Sequence, residues 1–120
     1  MNSSDQSPEG NLTFVFQSYS VSNEARGQIR AIAELMLTLP NRALKLEGHA
    51  DSSESGVESM RRKLSEDRVK AVLNGFAEFG IPADWITHQS FGSTAPLDPP
   101  PPSINQRVHF EIVAKPPKLH

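Results

Sequence analysis

Residues 43–51 read ALKLEGHAD, a run in which apolar or small side chains alternate with polar ones. Alternation with a period of two is typical of a β-strand that has one buried and one solvated face. The run ends in the carboxylate of Asp51, and the polar residues 52–56 (SSESG) follow it as a loop. The stretch therefore predicts a strand that delivers a carboxylate to the beginning of a loop.

A long helix is predicted after this loop, from about residue 57 to residue 79. Gly80, with Pro82 just beyond it, provides a stop signal. Apolar side chains recur along the segment at helical spacing, which indicates one buried face. The members of this apolar stripe are Val57, Met60, Leu64, Val72 and Phe76.

Arg68 interrupts that stripe, because it lies four residues after Leu64 and four before Val72. A buried charge without a partner is costly, and arginine cannot escape by losing its proton. We therefore expect Arg68 to meet a carboxylate, and Asp51 is the carboxylate that the preceding strand supplies. Two alternatives stay open: Arg68 could extend from the edge of the stripe into solvent, and Asp51 could be an ordinary loop or cap residue.

The remaining pattern predicts a strand at 12–17, a helix capped by Ser22 or Asn23 and stopped at Pro40, a strand at 85–91 and a last strand at 107–114. The element order is then β-α-β-α-β-β. Two helices cannot cover both faces of four strands, so the predicted fold class is α+β. We expect a sandwich in which the two main helices pack on one face of a four-stranded mixed sheet.

The polar ends of the chain suggest its domain organisation. Residues 1–11 are interpreted as a flexible linker, 12–114 as one folded domain and 115–120 as a flexible tail. Residues 1–11 lack the charged and apolar regions of a signal peptide, and no run of the chain is long and apolar enough for a membrane span. We therefore expect either a cytosolic protein or a piece of a longer precursor whose membrane anchor lies outside this chain.

Composition excludes several functions. The net charge of −2 argues against a nucleic-acid partner, and the absence of cysteine excludes disulfides and thiolate metal sites. No nucleophile elbow, phosphate loop or helical histidine pair is present, so neither an enzyme nor a cofactor is predicted. His49, His88 and His109 are interpreted as members of a solvated sheet face rather than as metal ligands.

Several short motifs occur in order along the chain and carry a family resemblance. They are FVFQS at 14–18, GHAD at 48–51, Leu64-Ser65 with Arg68, Phe91-Gly92 with Pro96, Asn105, and Arg107-Val108. In combination they resemble the OmpA-like C-terminal domain family, the peptidoglycan-associating family that includes Pal and MotB. The resemblance covers about residues 12–114.

The resemblance implies non-covalent binding of peptidoglycan through the diaminopimelate of its stem peptide. By similarity to the family, Asp51 would hold the ammonium group of the ligand. Arg68 would hold the ligand's carboxylate; it belongs to the Leu-Ser-x-x-Arg motif that begins at Leu64. The segment with Ser18 and Tyr19 would add backbone contacts beside this site. The charge types suit these roles, since the planar fork of arginine binds a carboxylate through two hydrogen bonds.

One departure from the family pattern lies next to the site. Arg61, three residues before Leu64, stands where the family usually has asparagine. Arginine only donates hydrogen bonds, so Arg61 would disfavour an ammonium but could hold a carboxylate. The alternative function is therefore a degenerate OmpA-like domain that serves as a protein-interaction or assembly module, with envelope proteins as partners. In either case the resemblance implies a periplasmic domain tethered to the outer or inner membrane.

Overall fold

The computed structural model describes residues 8–39, 41–95 and 105–115. Four strands, two α-helices and one 3-10 turn lie within these ranges, in the predicted order. They are β1 (Glu9–Thr13), α1 (Asn23–Thr38), β2 (Arg42–Gly48), α2 (Glu58–Glu78), the 3-10 turn (Ala83–Trp85), β3 (Ile86–Ser90) and β4 (Arg107–Ala114). None of the helices in the described part of the chain is long and apolar enough to cross a membrane.

The strands form one mixed sheet in the order β1-β4-β2-β3. β4 pairs antiparallel with both β1 and β2, whereas β2 and β3 run parallel. The two helices pack on this sheet, and the helix residues and alternate strand residues form one apolar core. The predicted α+β architecture is confirmed.

Glycine allows α2 to lie close against β2. A Cβ atom on Gly48 would lie 2.5 Å from the carbonyl oxygen of Ser65 and 2.5 Å from a methyl carbon of Val69. Any side chain here would push the helix away from the strand. The close approach places Arg68, one residue before Val69, beside the end of β2 and the loop that follows it.

The Ser22 cap and the Gly80 stop are confirmed, while Pro40, the predicted stop of the first helix, lies outside the described residues. Ser22 is the N-cap of α1, and its hydroxyl accepts a hydrogen bond of 3.0 Å from the amide of Ala25. After α2, Gly80 adopts a φ of +88°, a conformation that glycine tolerates best.

The predicted first strand, 12–17, is wrong in its bounds. β1 spans Glu9–Thr13, so it begins inside the range interpreted as a linker. After the buried Phe14 the chain turns, with the amide of Ser18 donating to the carbonyl of Val15 and Gln17 at a φ of 63°. Pairing with β4 sets the strand's position, and the apolar residues 14 and 16 do not reveal that register.

The other bounds differ less. β2 ends at Gly48 rather than at residue 51. β3 is two residues shorter than predicted, since Trp85 belongs to the 3-10 turn and Phe91 lies beyond the end of the strand. Lys115 is described, and its amide donates to the carbonyl of Asn41. Residues 1–7 and 116–120 of the predicted linker and tail lie outside the described residues.

Candidate functional site

Arg68 is fully buried on α2 and forms an ion pair with Glu54, whose side chain is also fully buried. The two side chains meet fork to fork: Nη1 donates to Oε1 at 2.8 Å, and Nη2 donates to Oε2. The prediction that Arg68 needs a carboxylate is confirmed. The prediction that Asp51 supplies it is wrong, because Glu54, three residues further along the loop, reaches the guanidinium instead.

Backbone carbonyls complete the surroundings of the guanidinium. Nε donates to the carbonyl of Ser18 at 2.8 Å, Nη1 to that of His49 at 3.1 Å and Nη2 to that of Val15 at 3.3 Å. With the two bonds to Glu54, all five N–H donors of Arg68 are used. The alternative in which Arg68 extends into solvent is thereby excluded.

Glu54 is equally well satisfied. Besides the guanidinium, Oε1 accepts from the amide of Asp51 at 2.9 Å and Oε2 accepts from the amide of Gln17 at 2.7 Å. Burial raises the pKa of Glu54, but the hydrogen bonds from Arg68 and the two amides outweigh it and hold the pKa below the ordinary value. Glu54 is therefore ionised at neutral pH.

Asp51 lies at the border of this cluster and is 6% exposed. Its Oδ2 accepts from the amide of Ser53 at 2.9 Å and from the Ser53 hydroxyl, and its Oδ1 accepts from the side-chain amide of Asn105 at 3.3 Å. Burial raises the pKa of Asp51, and these hydrogen bonds more than compensate, so the pKa is lowered. No hydrogen bond or ion pair links Asp51 to Arg68 among the described residues; only its backbone amide, through Glu54, joins the cluster.

Arg61 acts on the loop that carries Glu54. Its Nη1 donates to the carbonyls of Ser52 at 3.3 Å and Ser55 at 3.4 Å, while its Nε donates to Ser93 and Glu58. Arg61 therefore holds the loop against α2. It does so with the same N–H donors that could have held a ligand carboxylate.

The other predicted site residues divide into two groups. Ser18 touches Arg68 through its carbonyl, as above, and Leu64 is buried at 8% exposure. Tyr19, by contrast, is 54% exposed beside the same segment. Gln17, which was not predicted as a site residue, accepts from the amide of Ser55 at 2.7 Å and so holds the loop from the other side.

His49 is buried, so its assignment to a solvated sheet face is wrong. Its ring stacks on Phe91 with centroids 5.4 Å apart, and neither ring nitrogen has a hydrogen-bond partner among the described residues. Burial, reinforced by the charges of Arg107 and His109, lowers the pKa of His49 to about 4. The described residues contain no group of three or more side chains arranged to hold a metal ion.

Glu54 is the charged site residue that sequence reasoning missed, in addition to Gln17. The signal was present, because Glu54 is the acidic member of an otherwise small, polar loop, SSESG, three residues after Asp51. Which of the two carboxylates reaches Arg68 depends on the path of the loop, and residue spacing does not specify that path.

Two helices pack on a four-stranded mixed sheet, and a buried arginine–carboxylate cluster lies beyond the second strand, so the chain is an α+β domain with one buried charged site. The model of the OmpA family matches residues 13–108, and the chain belongs to this family.

Two curated proteins illustrate the range of its relatives. The chain is 34% identical over 74 residues to the outer-membrane lipoprotein YfiB of Pseudomonas aeruginosa, covering 62% of this chain and 43% of that protein. It is 30% identical over 89 residues to the photosystem I P700 chlorophyll a apoprotein A2 of Gloeobacter violaceus, covering 74% of this chain. The chain spans 10% of the length of the latter protein and less than half of the former.

Solved structures show the same fold. The OmpA-like domain of FopA1 from Francisella tularensis subsp. tularensis SCHU S4 matches with a TM-score of 0.80 at 21% identity, covering 90% of this chain and 72% of that one. The peptidoglycan-associated lipoprotein from Burkholderia pseudomallei matches with a TM-score of 0.72 at 22% identity, covering 88% and 89%. At these identities the similarity is one of fold.

Proposed function

We propose that this domain associates with peptidoglycan by binding the diaminopimelate of a stem peptide beside Asp51 and Arg68. Family membership and the fold shared with a peptidoglycan-associated lipoprotein support the proposal. The observation that carries it is the guanidinium of Arg68, which holds a carboxylate fork to fork inside a cradle of backbone carbonyls. A ligand carboxylate has the same chemistry as the one that this cradle holds.

In this proposal the two ends of the ligand meet opposite charges. Arg68 binds the carboxylate, and Asp51, ionised and exchanging Ser53 for the ligand, accepts from the ammonium. We propose that the segment of Ser18 and Tyr19, in which the Ser18 carbonyl accepts from Arg68, borders the site on one side, and that Leu64 and Arg61 border it on α2. Each charge-assisted hydrogen bond contributes about 1.5–3 kcal/mol, so two such contacts support a weak, reversible complex.

A weak complex suffices for an anchoring role. A sacculus presents many stem peptides, and attachment of the domain to an envelope protein raises the effective concentration at each of them. We therefore propose a non-enzymatic binding module in the periplasm, tethered to the outer or inner membrane by a segment outside this chain. Relatives such as an outer-membrane lipoprotein agree with an envelope location.

One observation favours the second candidate function, an assembly module that binds envelope proteins without binding peptidoglycan. Glu54 uses the charge of Arg68, and Arg61 is engaged with the loop, so the site is satisfied without a ligand. If this arrangement never opens, the fold would act through its surface instead.

Co-sedimentation with sacculi separates the two functions. Purified wild-type domain, Asp51→Ala and Arg68→Lys would be incubated with diaminopimelate-type sacculi, and lysine-type sacculi would serve as the matched ligand control. We expect wild type to sediment with the first material only, and both folded variants to remain in the supernatant. Asp67→Ala, which removes a carboxylate next to Arg68 that pairs with the exposed Lys63, should sediment like wild type.

A folded wild-type domain that stays in the supernatant with both kinds of sacculi would contradict the proposal. It would direct the search towards a protein partner.

A further inference from the structure

We propose, building on the function above, that Glu54 is an internal competitor for the ligand carboxylate and that the 52–56 loop must open before a ligand reaches Arg68. The loop then acts as a built-in regulator of affinity. In the closed state, which the structure represents, Glu54 occupies the place of the ligand.

Charge and donor count make the two carboxylates mutually exclusive. Arg68 carries one positive charge, and its five N–H donors are all bonded, two of them to Glu54 and three to backbone carbonyls. Both side chains are fully buried. A second carboxylate would have no free donor on the guanidinium and would place two negative charges beside one positive charge.

The donors around Glu54 also fit a replacement carboxylate. The amides of Asp51 and Gln17 point at its two oxygens, at 2.9 Å and 2.7 Å. When Glu54 leaves, these amides and the guanidinium together present donors to both oxygens of an incoming carboxylate. The exchange therefore replaces one set of hydrogen bonds with an equivalent set.

The loop is built to release its side chain. Glu54 is the buried member of the loop, whereas Ser52, Ser53 and Gly56 are exposed and Ser55 is partly exposed. No apolar side chain of the 52–56 loop packs into the core; polar contacts with Gln17 and Arg61 hold it in place. Besides the buried bonds of Glu54 itself, the contacts that opening breaks are therefore exposed polar ones, and no apolar packing of the loop is lost.

Opening of the loop sets the apparent affinity. When only a fraction of molecules is competent to bind, the apparent dissociation constant rises by the inverse of that fraction. Minor states are typically populated at about 0.1–10%, so removal of the competitor should strengthen binding by at least about tenfold.

The test measures binding of a soluble diaminopimelate-containing stem tripeptide by calorimetry. Wild type would be compared with Glu54→Gln and Glu54→Ala, and Asp67→Asn, at a partly exposed carboxylate of α2, would serve as the matched control. We expect both Glu54 variants to bind at least about tenfold more tightly than wild type, and the control to bind like wild type.

A second measurement does not require ligand binding by the wild type. Glu54→Ala leaves a hole lined by the guanidinium and two amides, which acetate fits. Sodium acetate should raise the melting temperature of Glu54→Ala above that in sodium chloride of equal ionic strength, and should leave wild type and the double variant Glu54→Ala with Arg68→Met unchanged.

The outcomes distinguish this inference from the proposed function. Tripeptide binding by wild type with no gain in the Glu54 variants would overturn the competitor role and leave the proposed function standing. Binding by the variants alone would establish the competitor and remove peptidoglycan binding from the resting wild type. If the folded variants and wild type all fail to bind, or if acetate does not stabilise Glu54→Ala, the inference fails as well.

Discussion

Arg68 and Glu54 form a closed network in which every guanidinium donor and both carboxylate oxygens are bonded. Desolvation of the two charges offsets most of their attraction, so such a pair adds little net stability compared with apolar residues. Removal of one member of the pair is strongly destabilising, because it leaves the other charge buried and unpaired.

Glu54→Ala is therefore expected to lower the free energy of unfolding by about 3–5 kcal/mol, as measured by urea denaturation. Asp67→Ala removes an ion pair with the exposed Lys63 from the same helix and should cost about 0–1 kcal/mol. Equal and small effects of the two substitutions would mean that Arg68 finds water or another partner when Glu54 is absent.

The single residue His49 makes the free energy of unfolding depend on pH. Its pKa is about 4 when folded and 6.5 as the ordinary value, so the unfolded chain binds more protons between these pH values. Stability should therefore fall as pH falls from 6.5 to 4, by about 3 kcal/mol in all, and the contribution should be constant above pH 6.5.

His49→Phe tests this dependence, because phenylalanine retains a ring against Phe91 and cannot be protonated. We expect the slope of unfolding free energy against pH to flatten between pH 6.5 and 4 in the variant, with acid unfolding displaced to lower pH than in wild type. An unchanged slope would show that another group titrates in this window. Glu54 and Asp51 act at lower pH, since their pKa values are lowered from 4.5 and 3.8.

At the scale of elements, the contact between α2 and β2 positions the site. Gly48 is the point of closest approach, and its missing Cβ leaves room for the backbone of Ser65 and for Val69. The loop between β2 and α2 then spans the gap with Glu54 turned inward and with Arg61 and Gln17 holding its two sides. The site thus depends on how two elements fit together.

Two glycine substitutions should change the free energy of unfolding in opposite directions. Gly48→Ala introduces a Cβ at 2.5 Å from a backbone oxygen and should lower the free energy of unfolding by about 1–3 kcal/mol. Gly27→Ala, on α1, meets open space and should raise it by about 0.5–1 kcal/mol through helix propensity. Thermal and urea unfolding of the two variants would measure both effects, and a harmless Gly48→Ala would mean that α2 can shift freely.

At the scale of the whole molecule, one core supports every part of the site. Arg68, Glu54 and the carbonyl of Ser18 come from α2, the 52–56 loop and the segment after β1, and the sheet and helices that join these parts share a single apolar cluster. Core packing therefore determines whether the network assembles at all.

Phe76→Ala tests this dependence, since Phe76 is fully buried on α2. We expect a loss of about 3–5 kcal/mol of unfolding free energy in urea. Phe16→Ala, at a side chain that is 50% exposed, should change it by no more than about 0.5 kcal/mol. A large effect at Phe16 would mean that its own side chain, like that of Phe14, packs into the core.

The structure follows the sequence most closely where the information is local. The cap at Ser22, the stop at Gly80 and the last strand at 107–114 agree with their predictions because caps, turns and periodicity depend on neighbouring residues. The charge on an apolar stripe also indicated a carboxylate partner for Arg68, although the sequence left open whether Arg68 extends into solvent instead. The fold class followed from the order of these elements.

The tertiary structure alone decided which carboxylate pairs with Arg68 and in which register β1 pairs with β4. Glu54 rather than Asp51 pairs with Arg68 because the loop turns through Ser55, at a φ of 53°, and is held by contacts with Gln17, 38 residues away in sequence. The start of β1 likewise depends on β4, at the other end of the chain. Such contacts join residues that are distant in sequence, and their geometry arises only when the whole core is packed.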